Sequence, residues 1–189
     1  MSLIAVIAAA ALADNIILAK MLGLCPFTGL SKRLDVAVGV GVATAAVLTL
    51  SAAAAWVVNA TLLQNISSLQ PLIFITLAAI VVQGAELAMR LWMPLMHRML
   101  GLYLPLIATN CAVLGVMLLA VRKSPDSFIE AVARGFGGGV GFLLAMVCLA
   151  LVRERITDSQ VPVAMRGAPL TMITIGWMAL AFSGLHGIF

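Results

Sequence analysis

The chain has 189 residues, 63% of them hydrophobic and 10% charged, with a formal net charge of +4. So few charges cannot cover a soluble domain of this length, and the composition points to an integral membrane protein. The positive balance does not point to nucleic acid. The basic residues lie in short gaps between apolar runs with no aromatics interleaved, which is the pattern of membrane topology.

Asp, Glu, Lys and Arg are absent from Val36 to Ala85, Met99 to Val121, Gly135 to Val152 and Gly167 to Phe189. A spanning helix takes about 20 mostly apolar residues, so the first of these runs holds two spans. In chain order the expected spans are 3–22, 35–58, 70–90, 99–121, 128–151 and 168–187. The first carries Ala11-Leu12-Ala13, which resembles a signal cleavage site. It has no basic segment before the apolar run, so it reads as a retained span. Lys32, Arg33, Arg90, Arg98, Arg153, Arg155 and Arg166 fall in the odd-numbered connections, against Arg122 and Lys123 in the even-numbered ones. The positive-inside rule then places the odd connections in the cytoplasm and both termini outside it.

The two halves share a pattern. "QPLIFITLAAIVVQGAEL" from Gln70 and "APLTMITIGWMALAFSGL" from Ala168 both open on Pro-Leu and carry Ile-Thr further on. "LDVAVGVGVA" from Leu34 and "IEAVARGFGG" from Ile129 both place an acidic residue before glycines. Each half holds three spans, an odd number, so the second copy enters the membrane from the opposite side. The expected fold is therefore an all-α integral membrane protein with one membrane domain, 1–189. It has six transmembrane helices as two inverted three-helix repeats, 1–95 and 96–189, whose cysteines approach each other from opposite sides.

Cys25 stands directly before Pro26, with Gly23 and Gly29 nearby. Proline removes a backbone donor and pushes the preceding residue out of the helical region, so a helix is expected to break near Cys25. Cys111 has a similar setting, with Pro105, Thr109 and Asn110 before it and Gly115 after it. A broken helix in lipid is tolerated only where protein or a cavity covers its polar groups. Three readings suit the cysteines: small packing residues in kinked helices, soft thiolate ligands for an iron–sulfur cluster, zinc or copper, or a disulfide, which suits a membrane interior less well. Two thiolates are too few for a four-thiolate cluster, so a partner or second copy would supply the rest. Cys148, in "FLLAMVCLALV", reads as a packing residue. "GFGGGVG" at Gly135 to Gly141 lacks the Lys and Ser/Thr of a phosphate loop and reads as a close-packing helix face.

Asp14, Asn15, Glu86 and Asn110 are candidate ion-path or structural polar residues, alongside Lys20 and Arg134. Asp14 and Lys20 do not share a helix face, and Glu86 and Arg134 fall at span edges. No Ser-His-Asp arrangement or other hydrolytic constellation is visible, and the chain has 2 histidines in total.

The stretches "NIILAKMLGLCPFTGLSKRLDVAVGVGVA", "LPLIATNCAVLGV", "RERI" and "VPVAMRGAPLTMITIGWMALAFSG" resemble the RnfA/NqrE family over essentially the whole chain. The resemblance implies a six-span subunit of the bacterial inner membrane, paired with a paralogous six-helix subunit of opposite orientation, RnfE-like, and with other subunits of an Rnf complex. It implies a [2Fe-2S] cluster shared by the pair, with Cys25 of "GLCPF" and Cys111 of "TNCAVLG" as this chain's ligands to its iron. It also implies an assembly that exchanges electrons between ferredoxin and NAD and couples this to Na+ or H+ movement. Backbone donors at 23–27 and 109–112 would then set the cluster's potential. Two alternatives of other classes stand beside this. One is a secondary transporter or ion channel subunit without a redox centre, suited by inverted repeats and buried polar residues. The other is a scaffold that anchors redox partners and binds no iron.

Overall fold

The computed structural model describes residues 3–13, 15–25, 27, 34–62, 70–92, 110–123, 127–156, 162 and 166–184. Every regular element among these residues is helical. The elements are α1 (Leu3–Ala8), a π-helical turn (Ala9–Ala13), α2 (Ile16–Lys20), α3 (Leu34–Leu62), α4 (Gln70–Trp92), α5 (Cys111–Lys123), α6 (Phe128–Arg155) and α7 (Ala168–Ser183).

Three of these are long and apolar enough to cross a membrane: Val36–Thr61 in α3, Pro71–Ala88 in α4 and Phe128–Arg155 in α6. They coincide with the second, third and fifth expected spans. Shorter apolar helices, Leu3–Leu12, Cys111–Arg122 and Ala168–Ser183, fall at the first, fourth and sixth. Residues 99–109, the first half of the fourth expected span, lie outside the described residues.

The first expected span differs from a continuous helix. It passes through the π turn and restarts at Ile16. The reason is local: the Asn15 side chain takes over hydrogen bonds that the backbone of an unbroken helix would make to itself. At its other end α2 stops at Met21, whose φ of 55° is left-handed. The Met21 N–H still reaches the Ile17 carbonyl at 2.9 Å, as in a left-handed helix cap.

The centre of the molecule is the α3–α6 pair, and the glycines of α6 set its spacing. Gly135 and Gly139 face α3. A Cβ at Gly139 would lie 2.8 Å from Ala45 Cα and 2.9 Å from Ala45 Cβ. Gly137 and Gly141, two residues on from each, face the first helical segment. A Cβ at Gly137 would lie 2.8 Å from the Ile7 carbonyl oxygen, and one at Gly141 2.8 Å from that of Ala11. Two small-xxx-small pairs thus interleave on one helix, and each admits a different neighbour to backbone contact. The Gly135 to Gly141 stretch is the close-packing face that its sequence suggests.

Around this pair α5 packs on α3 and α6, α4 flanks α3 and α5, and α7 packs on α2. Phe27, Phe74, Phe142, Met117, Met146 and Leu149 fill the core. The outward faces of α4 and α7 carry Leu72, Ile80, Leu91, Trp177 and Leu180, all more than half exposed. Such faces are costly in water and at home in lipid or against another subunit. α6 follows Ser127 at its N-cap, carries Glu130 in its first turn and ends with Arg153 and Arg155, charges that match its dipole.

Substitutions at two glycines separate packing from helix propensity. Gly139→Ala should lower the thermal unfolding midpoint in detergent, with a loss of about 1–3 kcal/mol from overpacking. Gly84→Ala, where a Cβ meets nothing within 4 Å among the described residues, should raise it by up to about 1 kcal/mol. Equal shifts at the two positions would contradict the role given to the α6 glycines.

Candidate functional site

The two cysteine segments meet at Gly23. After α2 ends, residues 21–24 are irregular, and helical conformation returns at Cys25 and Phe27. The break therefore lies before the cysteine, where Met21 and Gly23 (φ 87°) take left-handed backbone. A proline suits the first turn of a helix, where its missing N–H is not required. The residues flanking Pro26 begin such a turn, and the Phe27 N–H bonds the Leu24 carbonyl at 3.0 Å. Gly29 lies outside the described residues.

Phe27 fastens this segment. Its ring is buried and meets Phe142 of α6 edge-on, with centroids 5.5 Å apart. Cys25, two residues earlier, is exposed.

Cys111 is the first residue of α5, and it too is exposed. Asn110 caps that helix. Its Oδ1 accepts the Ala112 N–H at 3.1 Å, and its carbonyl accepts the Val113 N–H at 3.0 Å. This is the standard service of an N-cap asparagine. The residues before 110, including Pro105 and Thr109, lie outside the described residues.

One hydrogen bond joins the two segments: the Gly23 N–H donates to Cys111 Sγ at 3.0 Å. Gly23 is required there on two counts. Its φ of 87° disfavours any side chain, and a Cβ would lie 2.8 Å from both Ala112 Cβ and Asn110 Oδ1. So a backbone donor, a thiol and a buried amide converge where the segment after α2 meets the start of α5.

The other candidate polar residues are distributed differently. Asn15 is buried and fully engaged. Its Oδ1 accepts the Ile17 N–H at 3.1 Å, and its Nδ2 donates to the carbonyls of Ala11 and Gly141, each at 3.1 Å. It is a structural clasp between the first segment and α6. Glu86 pairs with Arg90 one turn along α4, at 3.7 Å, with both side chains substantially exposed. Arg134 pairs with Glu130 on α6 at 2.9 Å. Asp14 lies outside the described residues. Cys148 sits half-buried within the unbroken α6, apart from either interruption.

Two thiols are what this chain brings to the site. Among the described residues no group of three or more His, Cys, Asp or Glu side chains is gathered to hold a metal ion. The soft donors, the N–H aimed at sulfur and the exposure of both cysteines fit a cluster whose remaining ligands come from outside the chain. Sequence reasoning singled out the cysteines and the backbone donors around them. It missed Phe27 as the anchor and the link from Gly23 to Cys111, which joins residues 88 apart in sequence.

Gly23→Ala should therefore disturb the site more than its size suggests. The expected result is a stability loss of roughly 1–3 kcal/mol from strain and overpacking, with faster maleimide labelling of Cys111. Unchanged labelling and stability would show that the Gly23–Cys111 contact does not hold the two segments together. Asn15→Ala should cost about 1–2 kcal/mol in thermal unfolding through loss of its cap and cross-helix bond. Asn15→Asp, which keeps the capping oxygen, should recover part of that.

Comparison with known proteins bears on this geometry. The profile of the Rnf-Nqr subunit membrane-protein family matches residues 3–189. A protein of Edwardsiella ictaluri (strain 93-146), named as a subunit of an ion-translocating oxidoreductase complex, is 49% identical over 179 residues, 94% of this chain and 92% of the relative. Proteins of the same name from Vibrio campbellii (strain ATCC BAA-1116) and Yersinia pseudotuberculosis serotype O:1b (strain IP 31758) are each 47% identical over 94% of this chain, and 93% and 92% of their own lengths. The match spans both cysteine segments, the α3–α6 pair and α7, and the chain belongs to the Rnf-Nqr family of membrane-protein subunits.

Proposed function

We propose that this chain is a membrane subunit of an ion-translocating ferredoxin:NAD oxidoreductase complex of the Rnf type. In this reading Cys25 and Cys111 provide two of the four thiolates of an intramembrane [2Fe-2S] cluster, and a paralogous six-helix subunit provides the other two. The observation that carries the proposal is the Gly23 N–H donating to Cys111 Sγ, with both thiols on the exterior of the chain. A cysteine serving only to pack would be buried, as the apolar side chains of Met117 and Met146 are.

Such a cluster, when bound, takes up and releases one electron and so divides a roughly 30 Å apolar layer into two shorter crossings. The chain's own residues prepare the place. Gly23 fixes the position of Cys111 Sγ through its N–H. Phe27, wedged against Phe142, holds the segment that carries Cys25. The α5 N-terminus presents the positive end of its dipole beside Cys111. The core around Ala112, Val113 and Phe142 keeps water from the inner side of the site.

The finer architecture belongs to the same proposal. It comprises six spans in two inverted repeats, a place in the bacterial inner membrane, and both termini on the periplasmic side, as the distribution of Lys and Arg supports. Electron passage is coupled to Na+ or H+ movement by the complex as a whole, a reading supported by relatives named as subunits of an ion-translocating oxidoreductase complex.

The deciding experiment is iron and acid-labile sulfide analysis with electron paramagnetic resonance on the complex co-purified through this chain. Cys25→Ser and Cys111→Ser should each abolish the [2Fe-2S] signal and electron transfer while the chain still inserts and assembles. A complex without a cluster dependent on these cysteines would return them to packing roles and leave a transporter without a redox centre as the reading to pursue.

A further inference from the structure

Two asparagines perform the same service in this chain, and only one of them is satisfied. Asn15 and Asn110 are separated along the chain by the same interval as Leu34 and Ile129. Each stands immediately before a helix, and each accepts the N–H two residues on with its Oδ1 at 3.1 Å. Both are buried, at 2% and 3% exposure. Asn15 Nδ2 spends its hydrogens on two backbone carbonyls. Asn110 Nδ2 is fully buried and has no acceptor among the described residues.

A buried amide donor without an acceptor costs about 1–3 kcal/mol, and native chains rarely carry one without a use. The cap fixes the orientation: Oδ1 must face the Ala112 N–H, so Nδ2 is the spare end. The side chain adjoins Gly23, whose N–H already points at Cys111 Sγ. The orphaned donor thus belongs to the residue that directly precedes Cys111, and whose Oδ1 lies against Gly23.

We propose that Asn110 is a positioning residue for the redox centre, its Nδ2 donating a hydrogen bond to a sulfur of the cluster held at Cys25 and Cys111. This rests on the functional reading above. Hydrogen bonds to sulfur stabilise the more electron-rich reduced state and raise the potential. Asn110 would thus join the Gly23 N–H in setting the potential at which the site accepts an electron. Asn15, whose amide is committed to Ala11 and Gly141, has no such part.

The test is a redox titration followed by electron paramagnetic resonance on the intact complex carrying Asn110→Ser, Asn110→Asp or Asn15→Ser. Ser and Asp both keep an oxygen for the helix cap and remove the amide donor. Both Asn110 variants should retain the cluster with the midpoint potential shifted negative, while Asn15→Ser leaves the potential where it was. Loss of the cluster from both Asn110 variants with the thermal unfolding midpoint preserved also supports the proposal, because the donor then helps to hold the centre. A cluster at unaltered potential in both variants overturns it, as does cluster loss accompanied by collapse of the thermal midpoint, which assigns Asn110 to the fold alone. These outcomes are distinct from failure of the functional reading. In that case the unmodified complex has no cluster dependent on Cys25 and Cys111, and the inference falls with it.

Discussion

Backbone polar groups cannot be left open inside a bilayer, and the α6 glycine face is what lets this chain interrupt its helices and still meet that condition. Gly141 offers its carbonyl to Asn15 because no side chain stands between them. Gly137 admits the first helical segment to within contact of the α6 backbone. One residue beyond Gly141, Phe142 receives both Phe27 and the approach of Gly23. With larger side chains on α6 the first segment would stand off. Its broken turn would then face lipid, and the Cys25 segment would lose its anchor.

In the proposed reading, the site built on this scaffold is half of a shared one. Its two thiols belong to exposed residues, Cys25 and Cys111, whereas Met117 and Met146 are buried in the core. Its donors are arranged around sulfur, through the Gly23 N–H, in a shell whose inner wall is apolar. The economy of that arrangement is what an interface site requires. Under that proposal each subunit would need only to orient its own thiols and keep water from its own side, and the assembly would complete the coordination. The exposed apolar faces of α4 and α7 suit the same setting, since they are stable only against lipid or another membrane subunit.

Several expectations were met in kind but displaced in position. A break near Cys25 follows from Pro26, yet the chain turns at Met21 and Gly23 and has returned to helix at Cys25. Proline rules identify that a helix cannot run through, and they do not fix at which residue the chain turns. Asn15 is polar within an apolar run, which marks it for attention. Whether it conducts or clasps is decided by its partners, and all three of its hydrogen bonds are internal. Glu86 is likewise conspicuous in sequence and is paired along its own helix.

The amino-acid sequence by itself determined the membrane class, because charge is too scarce to cover a soluble surface. It determined the long helices α3, α4 and α6, because apolar runs of that length have one stable form in lipid. It singled out Cys25 and Cys111, because soft nucleophilic side chains beside helix-breaking residues are unusual there. Only the tertiary structure decided that a glycine N–H meets Cys111 across the fold, that Phe27 anchors the Cys25 segment, and that two similar asparagines end with different amounts of spare hydrogen bonding. Those outcomes depend on contacts between residues far apart in the chain. The local rules of periodicity, propensity and capping act over a few residues and carry no information about which distant backbone a glycine face will admit.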